Sequence, residues 1–196
     1  MASTIAEKSL RDVLEAFASP TPTPGGGSAC AAASAFGTAL LRMAAAIAGV
    51  DQQSLARIEE RLLDAVDADA AAYRYVIAAQ RQPQDTEGER GLRSAAIQLA
   101  LRGATEVPLS IMRLSASALY EATEVAAHAR RSTVGDIGVA VVLLRAVVEG
   151  ARLTIDANLG ALTDAAYIET VREEFRTLVE RAAQAATETE RLLRVR

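Results

Sequence analysis

The segment SPTPTPGGGS, residues 19–28, combines residue types that can hold a negatively charged ligand. Three stiff prolines precede three glycines, and a serine then opens a run of small residues typical of a helix. Glycines before a helix N-terminus leave amide donors accessible, and the helix dipole adds partial positive charge there. We predict a site for a carboxylate, a phosphate or an enolate-like oxygen; a tight turn between two helices is the alternative. The residues of this predicted site are Gly25, Gly26, Gly27 and Ser28.

A carboxylate interrupts the apolar face of the helix predicted for residues 54–81. At 100° per residue, six apolar side chains fall within about 40° of one another. They are Leu55, Ile58, Leu62, Val66, Tyr73 and Val76. Asp69 falls inside this stripe, whereas Asp64 and Asp67 are expected to point to solvent. Because burial raises a carboxyl pKa towards neutrality, Asp69 is our candidate catalytic base.

Two further polar residues fall on predicted buried faces. Arg93 lies on the stripe of small residues in the next helix, and Asn158 lies at the end of the apolar stripe of the helix after it. One interpretation is a structural network in which Asp69 and Arg93 form an ion pair that fixes two helices. The other is a ligand site, in which Arg93 orients Asp69 or binds a ligand carboxylate through two hydrogen bonds.

Helix signals follow one another along the whole chain and predict an all-α fold. Alanine is abundant, only 4% of residues are aromatic, and no strand-like alternation or internal repeat is present. We expect one domain, residues 1–196, formed by a bundle of about six long antiparallel helices. Pro108 should kink or divide the fourth helix, because proline removes a donor and clashes with the preceding turn. The expected helices run from Ser9 to near Ala18, from Ser28 to about Gly49, from Ser54 to about Arg81, from Thr86 onwards, from Thr133 to about Leu159, and from Thr163 or Asp164 almost to the C-terminus.

Charge and composition argue against several classes of protein. A net charge of −4 does not suit a nucleic-acid binder, which needs a basic surface for the phosphates. One cysteine, Cys30, and one histidine, His128, are too few for a disulfide or a Cys/His metal site, which favours a reduced cytoplasmic location. Both residues are expected to be structural, as is Tyr73 in the core. The apolar run from 29 to 50 contains Arg42, and we interpret it as a buried helix rather than a membrane span.

Several motifs, in this order, resemble the formiminotetrahydrofolate cyclodeaminase/methenyltetrahydrofolate cyclohydrolase family. The PTPTPGGGS segment and the small-residue helix after it resemble the family's opening, and the resemblance continues along nearly the whole chain. The matching pieces further on are Asp69 with Tyr73, Arg93 and the helix leading to Val107-Pro-Leu109, Asp136-Ile-Gly-Val-Ala140, and Asn158-Leu159.

The resemblance implies an all-helical homodimer whose folate sites involve the glycine-rich turn and the dimer interface. Its members hydrolyse 5,10-methenyltetrahydrofolate to the 10-formyl form, or expel ammonia from the formimino form, and need no metal, nucleotide or other cofactor. It adds Asp136 and Asn158 as substrate-binding residues. Hydrolysis is our first expectation, since the chain carries no attached formiminotransferase part.

Several polar positions of the family differ in this chain. Gln84 stands where the family commonly has a lysine, and Arg130, which follows Ala129 in place of a Gly-Asn pair, is a candidate for replacing that charge in substrate binding. Gly135 and Thr154 replace a serine and an asparagine. These changes motivate a second hypothesis: a small-anion-binding or assembly protein that kept the fold and lost the folate chemistry.

Overall fold

The computed structural model describes residues 4–196 and confirms the all-α prediction, with six α-helices and no strand in that range. Two short 3-10 helices, Ile5–Glu7 and Arg131–Thr133, precede α1 and α5. The helices are α1 (Leu10–Ala18), α2 (Gly26–Ala48), α3 (Gln53–Gln80), α4 (Glu87–Ala127), α5 (Val134–Leu159) and α6 (Ala165–Leu193).

The longest helix, α4, forms the centre of the bundle. It packs against α2, α3, α5 and α6, and these four follow one another around it in the order α3, α2, α5, α6. The ring is open between α6 and α3, which do not pack together to a comparable extent. α2 is therefore held on three sides, by α3, α4 and α5, and its fourth side faces outwards.

Small residues bring α2 and α5 close together in antiparallel orientation. A Cβ atom on Gly37 would lie 3.1 Å from Cγ of Leu144, and one on Gly150 would lie 2.9 Å from Sγ of Cys30. At the N-terminal end of α2, a Cβ on Gly26 would lie 3.7 Å from Oγ1 of Thr154. Because glycine permits this approach, the beginning of α2 reaches the C-terminal part of α5.

Most predicted helix starts are confirmed to within a few residues. Ser9, Thr86 and Asp164 cap α1, α4 and α6 by accepting a backbone N–H, and Thr86 completes a capping box with Glu89. The sequence predicts that α2 begins at Ser28, and this prediction is wrong. Gly25 occupies the cap position, and Ser28 is the third residue of the helix and fully buried.

Pro108 does not divide α4, contrary to one of the two outcomes expected from sequence. The helix continues from Glu87 to Ala127 with Pro108 buried inside it. Proline has no N–H for the carbonyl four residues earlier, that of Ala104. Nδ2 of Asn158 donates to this carbonyl oxygen at 2.8 Å. A side chain of α5 thus supplies the hydrogen bond that α4 cannot make for itself.

The N-terminal segment is attached to α3 through Asp67, a carboxylate that the sequence predicts to point to solvent. Asp67 accepts hydrogen bonds from the backbone N–H groups of Ile5, at 2.9 and 3.1 Å, and of Ala6, at 3.4 Å. The following helix, α1, has no buried residue. It is amphipathic in sequence, and its apolar residues are covered only in part: Leu10 and Leu14 are exposed, whereas Val13, Ala16 and Phe17 are half-buried.

Within residues 4–196, α2 is the one helix long and apolar enough to cross a membrane. In its most apolar stretch 44% of residues are buried in the bundle. Burial of this kind is typical of a core helix, so packing within the bundle explains why the inner side of α2 is apolar. The same packing does not explain why its outer side is apolar.

Candidate functional site

The carboxylate of Asp69 lies against the first turn of α2, where the sequence predicts a site for a ligand anion. Its Oδ2 atom accepts hydrogen bonds from the backbone N–H of Ser28 at 2.8 Å and lies 3.0 Å from the Ser28 hydroxyl oxygen. An N–H in the first turn of a helix has no partner within its own helix. The anion that occupies this helix end in the chain itself is therefore Asp69, supplied by α3.

The Ser28 hydroxyl allows Asp69 to hold or lose a proton without leaving a polar atom unpaired. This oxygen lies 2.8 Å from the carbonyl oxygen of Val66 and 3.0 Å from Oδ2 of Asp69, but it has one proton to donate. An ionised Asp69 can accept that proton. When Asp69 is protonated, the hydroxyl can donate to Val66 and accept from the carboxyl group. Such an arrangement suits a group that transfers protons.

Burial raises the pKa of the Asp69 carboxyl, and the two hydrogen bonds from Ser28 lower it by less. Removal from water disfavours the charged form, whereas hydrogen bonds to the carboxylate favour it. The same surroundings affect Cys30, whose thiol pKa is raised first by burial and then by the charge of Asp69. A raised carboxyl pKa brings Asp69 closer to the pH at which a general base is effective.

Gly27 leaves the space that the Asp69 carboxyl group occupies. A Cβ atom at Gly27 would lie 2.5 Å from Cγ of Asp69 and 2.9 Å from its Oδ2. By contrast, a Cβ at Gly25 would have no atom within 4 Å, and one at Gly26 would make an ordinary contact. Of the three glycines, Gly27 is thus the one that the position of Asp69 requires.

The inner face of α3 is only partly covered beyond the N-terminal end of α2, since Val76 and Ala79 stay buried there and Tyr73 does not. Tyr73 lies on the same face of α3 as the buried Leu62 and Val66, yet it is 43% exposed. Its predicted place in the core is therefore wrong, because α2 ends before reaching it. On α4, Ala100 is half-buried, whereas Ala104 one turn further on is buried. Asp69 itself is half-buried, one turn before Tyr73.

Asn158 lies near the same end of α2 but has a structural contact. Its amide nitrogen donates to the Ala104 carbonyl freed by Pro108, and it is half-buried one turn beyond Thr154. Thr154, one of the positions at which the chain differs from the family pattern, faces Gly26. Sequence analysis did not assign Thr154 to the site, since only the α2–α5 packing shows which α5 side chains reach the glycines.

Arg93 is not paired with Asp69, so the expected ion pair is wrong. Its Nε and Nη2 atoms donate to the carbonyl oxygen of Gln80 at 3.0 and 2.9 Å, which satisfies the C-terminal end of α3. Gln80 follows Asp69 by 11 residues, which corresponds to about 16 Å along a helix. Arg93 therefore does not orient Asp69, and its role as a carboxylate-binding residue stays a prediction.

Arg130 and Asp136 lie at the opposite end of the bundle. Asp136 is in the first turn of α5, 22 residues before Asn158, a separation of about 33 Å along the helix. Arg130 precedes α5, is exposed, and uses its carbonyl oxygen to accept hydrogen bonds from Thr133. Within residues 4–196, neither side chain has a hydrogen-bond or ion-pair partner. A single chain does not bring these two residues to Asp69.

The remaining polar candidates have the structural contacts expected for them. Cys30 packs against the backbone of Gly150, and His128 ends α4 with Nδ1 3.1 Å from the carbonyl oxygen of Glu124. In the part of the chain that the structure describes, no three His, Cys, Asp or Glu side chains form a group that could hold a metal ion. The chemistry of this site thus centres on one carboxylate, a serine and the backbone of a helix start.

Comparison with protein families gives a match over most of the chain. Residues 9–177 match the family model described as formiminotransferase-cyclodeaminase. The chain is 35% identical over 133 residues to formimidoyltransferase-cyclodeaminase of Sus scrofa, which covers 67% of this chain and 25% of that protein. It is 33% identical over 124 residues to methenyltetrahydrofolate cyclohydrolase of Methylorubrum extorquens, covering 63% of this chain and 58% of that protein.

A solved structure has the same fold. The crystal structure of formiminotetrahydrofolate cyclodeaminase from Thermotoga maritima superimposes with a TM-score of 0.87, covering 97% of this chain and 98% of that chain at 20% identity. The chain spans about a quarter of the length of the Sus scrofa protein and somewhat over half of the Methylorubrum extorquens protein. The range matched by the family model, residues 9–177, contains the glycine-rich turn, Asp69, Arg93, Asp136 and Asn158.

Proposed function

The chain belongs to the formiminotransferase-cyclodeaminase family, and we propose that it is an enzyme acting on a one-carbon derivative of tetrahydrofolate. The first proposed reaction is hydrolysis of 5,10-methenyltetrahydrofolate to 10-formyltetrahydrofolate. The related cyclodeamination of formiminotetrahydrofolate is the second. Relatives with both activities in their names support the substrate class and do not separate the two reactions.

One observation carries the catalytic part of this proposal. Asp69 has a raised pKa, is half-buried one turn from the exposed Tyr73, and is held by the N–H of Ser28 beside a glycine that leaves room for it. A purely structural carboxylate at a helix start gains stability from remaining ionised. The serine hydroxyl that can pair with either protonation state instead suits repeated transfer of a proton.

In the proposed hydrolysis, water attacks the electrophilic methenyl carbon and a C–O bond forms. Asp69 takes one proton from this water, and the positive charge of the methenyl bridge is neutralised. The C–N5 bond then breaks as Asp69 returns its proton to N5. The hydroxyl group of the adduct loses its remaining proton to solvent as it becomes the formyl C=O on N10, so the whole reaction releases one proton. The Ser28 hydroxyl donates to Asp69 when this carboxylate is ionised, and to the carbonyl oxygen of Val66 when Asp69 is protonated.

The same groups can perform the cyclodeamination. N10 attacks the formimino carbon and loses its proton to Asp69, and the leaving ammonia receives a proton as the old C–N bond breaks. Both reactions therefore need a carboxylate that accepts and returns one proton. Arg93 is proposed to bind a carboxylate of the substrate's tail, since its guanidinium group lies at the C-terminal end of α3, about 16 Å along that helix from Asp69.

The direct test is the loss of the methenyl chromophore with 5,10-methenyltetrahydrofolate. We expect the protein to accelerate its decay above the spontaneous rate, and Asp69→Asn to abolish this acceleration while the helical circular dichroism stays unchanged. Full activity of Asp69→Asn would contradict the role of Asp69. No acceleration of either reaction, together with no folate-dependent rise in melting temperature, would favour the non-catalytic alternative.

Oligomeric state, cellular location and partners of the enzyme can also be proposed. We propose a homodimer in the cytoplasm that uses no metal or other cofactor and binds neither nucleic acid nor membrane. The acidic net charge of −4 supports the nucleic-acid part, and the single cysteine supports a reducing compartment. The folate derivative is the substrate in this scheme.

A further inference from the structure

The ring of helices around α4 is open between α6 and α3, and this opening forms a groove of about 1100 Å³. The groove has an apolar floor, since Ile58 of α3 and Leu114 of α4 are buried and Leu178 of α6 is half-buried. We call this cavity the α3–α6 groove. No residue of α2 or α5 lines it, nor does any residue that we propose for the folate reaction. The groove is therefore separate from the candidate folate site.

Four arginines line the groove: Arg57 and Arg61 from α3, Arg113 from α4 and Arg181 from α6. Arg113 is neutralised by Glu174, whose carboxylate accepts hydrogen bonds from its Nε and Nη2 atoms at 2.5 and 2.7 Å. The other three are exposed, and none of them has a hydrogen-bond or ion-pair partner in the part of the chain that the structure describes. A protein with a net charge of −4 thus gathers three unpaired cations in one groove.

The two unpaired arginines of α3 can be placed along the groove from one contact between α3 and α4. These helices run antiparallel, and Oγ of Ser54 donates to Oε1 of Glu121 at 2.8 Å. Arg57 follows Ser54 by one turn, so it is level with Ser117, one turn before Glu121. Arg61 lies one further turn along the same face of α3, about 6 Å from Arg57.

Arg181 of α6 lies at this level too, on the other side of the groove. α6 runs parallel to α4 and meets it through the ion pair of Arg113 and through a hydrogen bond between Thr123 and Thr189. Ser117 lies near the middle of the interval between these contacts on α4, and Arg181 lies near the middle of the interval on α6. Arg181 therefore lies opposite the arginines of α3, with the groove between them.

This arrangement of charges is unfavourable in the absence of a ligand. Arg57 and Arg61 are four residues apart on one helix, a spacing at which like charges destabilise the helix. Glu60 and Asp64 follow Arg57 and Arg61 by three residues, which is a spacing that permits ion pairs, but neither pair forms among the described residues. The arginines border the groove instead. Cations held apart from the carboxylates beside them attract an anion into the groove.

The two carboxylates that line the groove do not neutralise these arginines. Glu121 accepts the hydrogen bond from Ser54, and Glu188 accepts two hydrogen bonds from Arg191, at 2.8 and 2.6 Å. Arg191 does not line the groove, so its charge cancels that of Glu188 from outside. The three unpaired cations therefore meet only one uncompensated carboxylate, that of Glu121.

Tyr120 adds an aromatic surface to the same groove. Its side chain is 76% exposed, and it lies on α4 one turn after Ser117, next to the level of the unpaired arginines. Within the described residues its hydroxyl group has no hydrogen-bond partner. An exposed aromatic ring beside cations offers a stacking surface for a flat heteroaromatic group.

We propose that the α3–α6 groove binds a nucleotide with a di- or triphosphate chain, whose phosphates contact the three unpaired arginines and whose base stacks on Tyr120. A guanidinium group can donate two parallel hydrogen bonds to one phosphate. A phosphate chain concentrates several negative charges within about one helical turn, which is the spacing of Arg57 and Arg61. The apolar floor keeps water from one side of these contacts and so strengthens the attraction between the charges.

The nucleotide is a ligand that joins two helices, and it takes no part in the folate reaction. Arg61 precedes Asp69 by eight residues, about 12 Å along α3, and Asp69 does not line the groove. Binding connects α3 to α6, which the fold itself leaves apart. Because the site exists only in the folded chain, the nucleotide is expected to raise the melting temperature.

Binding can be measured by isothermal titration calorimetry with ATP, inorganic triphosphate and adenosine, in buffer without divalent cations. We expect saturable binding of ATP, weaker binding of triphosphate and no binding of adenosine, with an ATP affinity that falls as salt is added. Equal affinities for ATP and triphosphate would overturn the nucleotide in favour of an inorganic polyphosphate. Absence of binding by both at millimolar concentration would overturn the site itself.

The arginines can be tested with two double variants that remove the same charge. Arg61→Gln/Arg181→Gln should weaken ATP binding by at least about tenfold, because two charge-assisted contacts are lost. Arg74→Gln/Arg172→Gln changes exposed, unpaired arginines of the same two helices outside the groove, and it should change the affinity by less than about twofold. Equal losses in both variants would show non-specific attraction and overturn the site.

Tyr120→Leu distinguishes the base from the phosphates. It should weaken ATP binding by at least about fivefold, since stacking is lost, and leave triphosphate binding unchanged. An unchanged affinity for ATP would overturn the role of Tyr120. These readouts do not depend on folate turnover, and all groove variants should keep the methenyl turnover of the native protein. If the native protein has no turnover, the proposed function fails and the binding results still decide the groove.

Discussion

At the scale of single residues, the site is formed by contacts of very short range. Asp69 is fixed by the N–H of Ser28, the Ser28 hydroxyl is shared between Asp69 and Val66, and Gly27 leaves the space for the carboxyl group. Each contact involves a different property: a donor at a helix start, a proton that can move, and the absence of a side chain. Changes at these residues therefore have separable effects.

Gly27→Ala and Gly26→Ala make a matched pair of substitutions in adjacent positions. Alanine at Gly27 would overlap the Asp69 carboxyl group, which must then move away from Ser28, whereas alanine at Gly26 meets only Thr154 at 3.7 Å. We expect methenyl turnover to fall by at least about tenfold in Gly27→Ala, since a displacement of about 1 Å can cost far more. Gly26→Ala should retain most of it. Equal activity of the two variants would contradict the role given to Gly27.

The pH dependence of kcat/KM should report the ionisation of Asp69. Because its pKa is raised above the ordinary 3.8, activity should rise with pH along an acid limb whose midpoint lies above that value. Ser28→Ala removes a hydrogen bond that lowers this pKa, so the midpoint should move to higher pH. A midpoint that stays in place in Ser28→Ala would argue against Asp69 as the titrating group.

The same shift predicts a dependence of stability on pH. A carboxyl group whose pKa is raised by folding holds its proton more tightly in the folded state, so its ionisation lowers the free energy of unfolding as pH rises above 3.8. Asp69→Asn cannot ionise. The stability of Asp69→Asn relative to the native protein should therefore increase with pH through the folded pKa and then level off, as measured by urea unfolding between pH 4 and pH 8, a range of about four units.

At the scale of elements, α4 and α5 depend on each other at one point. Pro108 leaves the Ala104 carbonyl without a helical donor, and Asn158 of α5 supplies one. Ala104 is buried, so water cannot replace this donor. The asparagine that the family resemblance suggested for substrate binding thus has a local reason of its own, and its amide nitrogen is already used.

A double-mutant cycle on Asn158 and Pro108 measures this dependence. Asn158→Ala alone should lower the free energy of unfolding by about 1–3 kcal/mol, because a buried carbonyl loses its partner. In a Pro108→Ala background the new N–H can reach Ala104, and the cost of Asn158→Ala should be smaller by about 1 kcal/mol. Equal costs in both backgrounds, by urea unfolding, would show that the hydrogen bond contributes nothing to stability.

At the scale of the whole molecule, the bundle leaves its most apolar helix half uncovered. α2 is packed on three sides, and its fourth side carries the exposed apolar residues Phe36, Met43 and Ile47. The residues suggested for substrate binding are likewise divided between two ends about 33 Å apart along α5. In the proposed homodimer, we expect the second chain to cover this apolar side of α2.

If two chains form the proposed homodimer, its thermal stability depends on protein concentration. Folded chains that associate are stabilised by mass action, so the melting temperature of the native protein should rise with concentration. Met43→Glu places a carboxylate on the exposed apolar side of α2 and should melt at a lower temperature that does not vary with concentration. Leu92→Glu places the same charge on the exposed surface of α4 and should behave like the native protein. A melting temperature of the native protein that is constant from micromolar to hundreds of micromolar would contradict a dissociable dimer.

The sequence by itself determined what depends on local periodicity and on chain order. Helix positions, the cap residues Ser9, Thr86 and Asp164, and the place of Asp69 in an apolar stripe all follow from spacing along one helix. The order of motifs also indicated the family that the comparisons later showed. These properties are encoded within a few turns of chain and do not require knowledge of which helices meet.

The tertiary structure decided which of these residues meet. A helical wheel shows the side on which Asp69 and Arg93 lie, but not that α2 ends beside Asp69, or that Arg93 reaches Gln80 instead. It also cannot show that Asn158 supplies the hydrogen bond that Pro108 removes, since the two residues are far apart along the chain and nothing in their spacing indicates a contact. Position along a helix axis depends on how neighbouring helices slide against one another. Packing of small residues such as Gly26, Gly37 and Gly150 sets that register only when the helices come together.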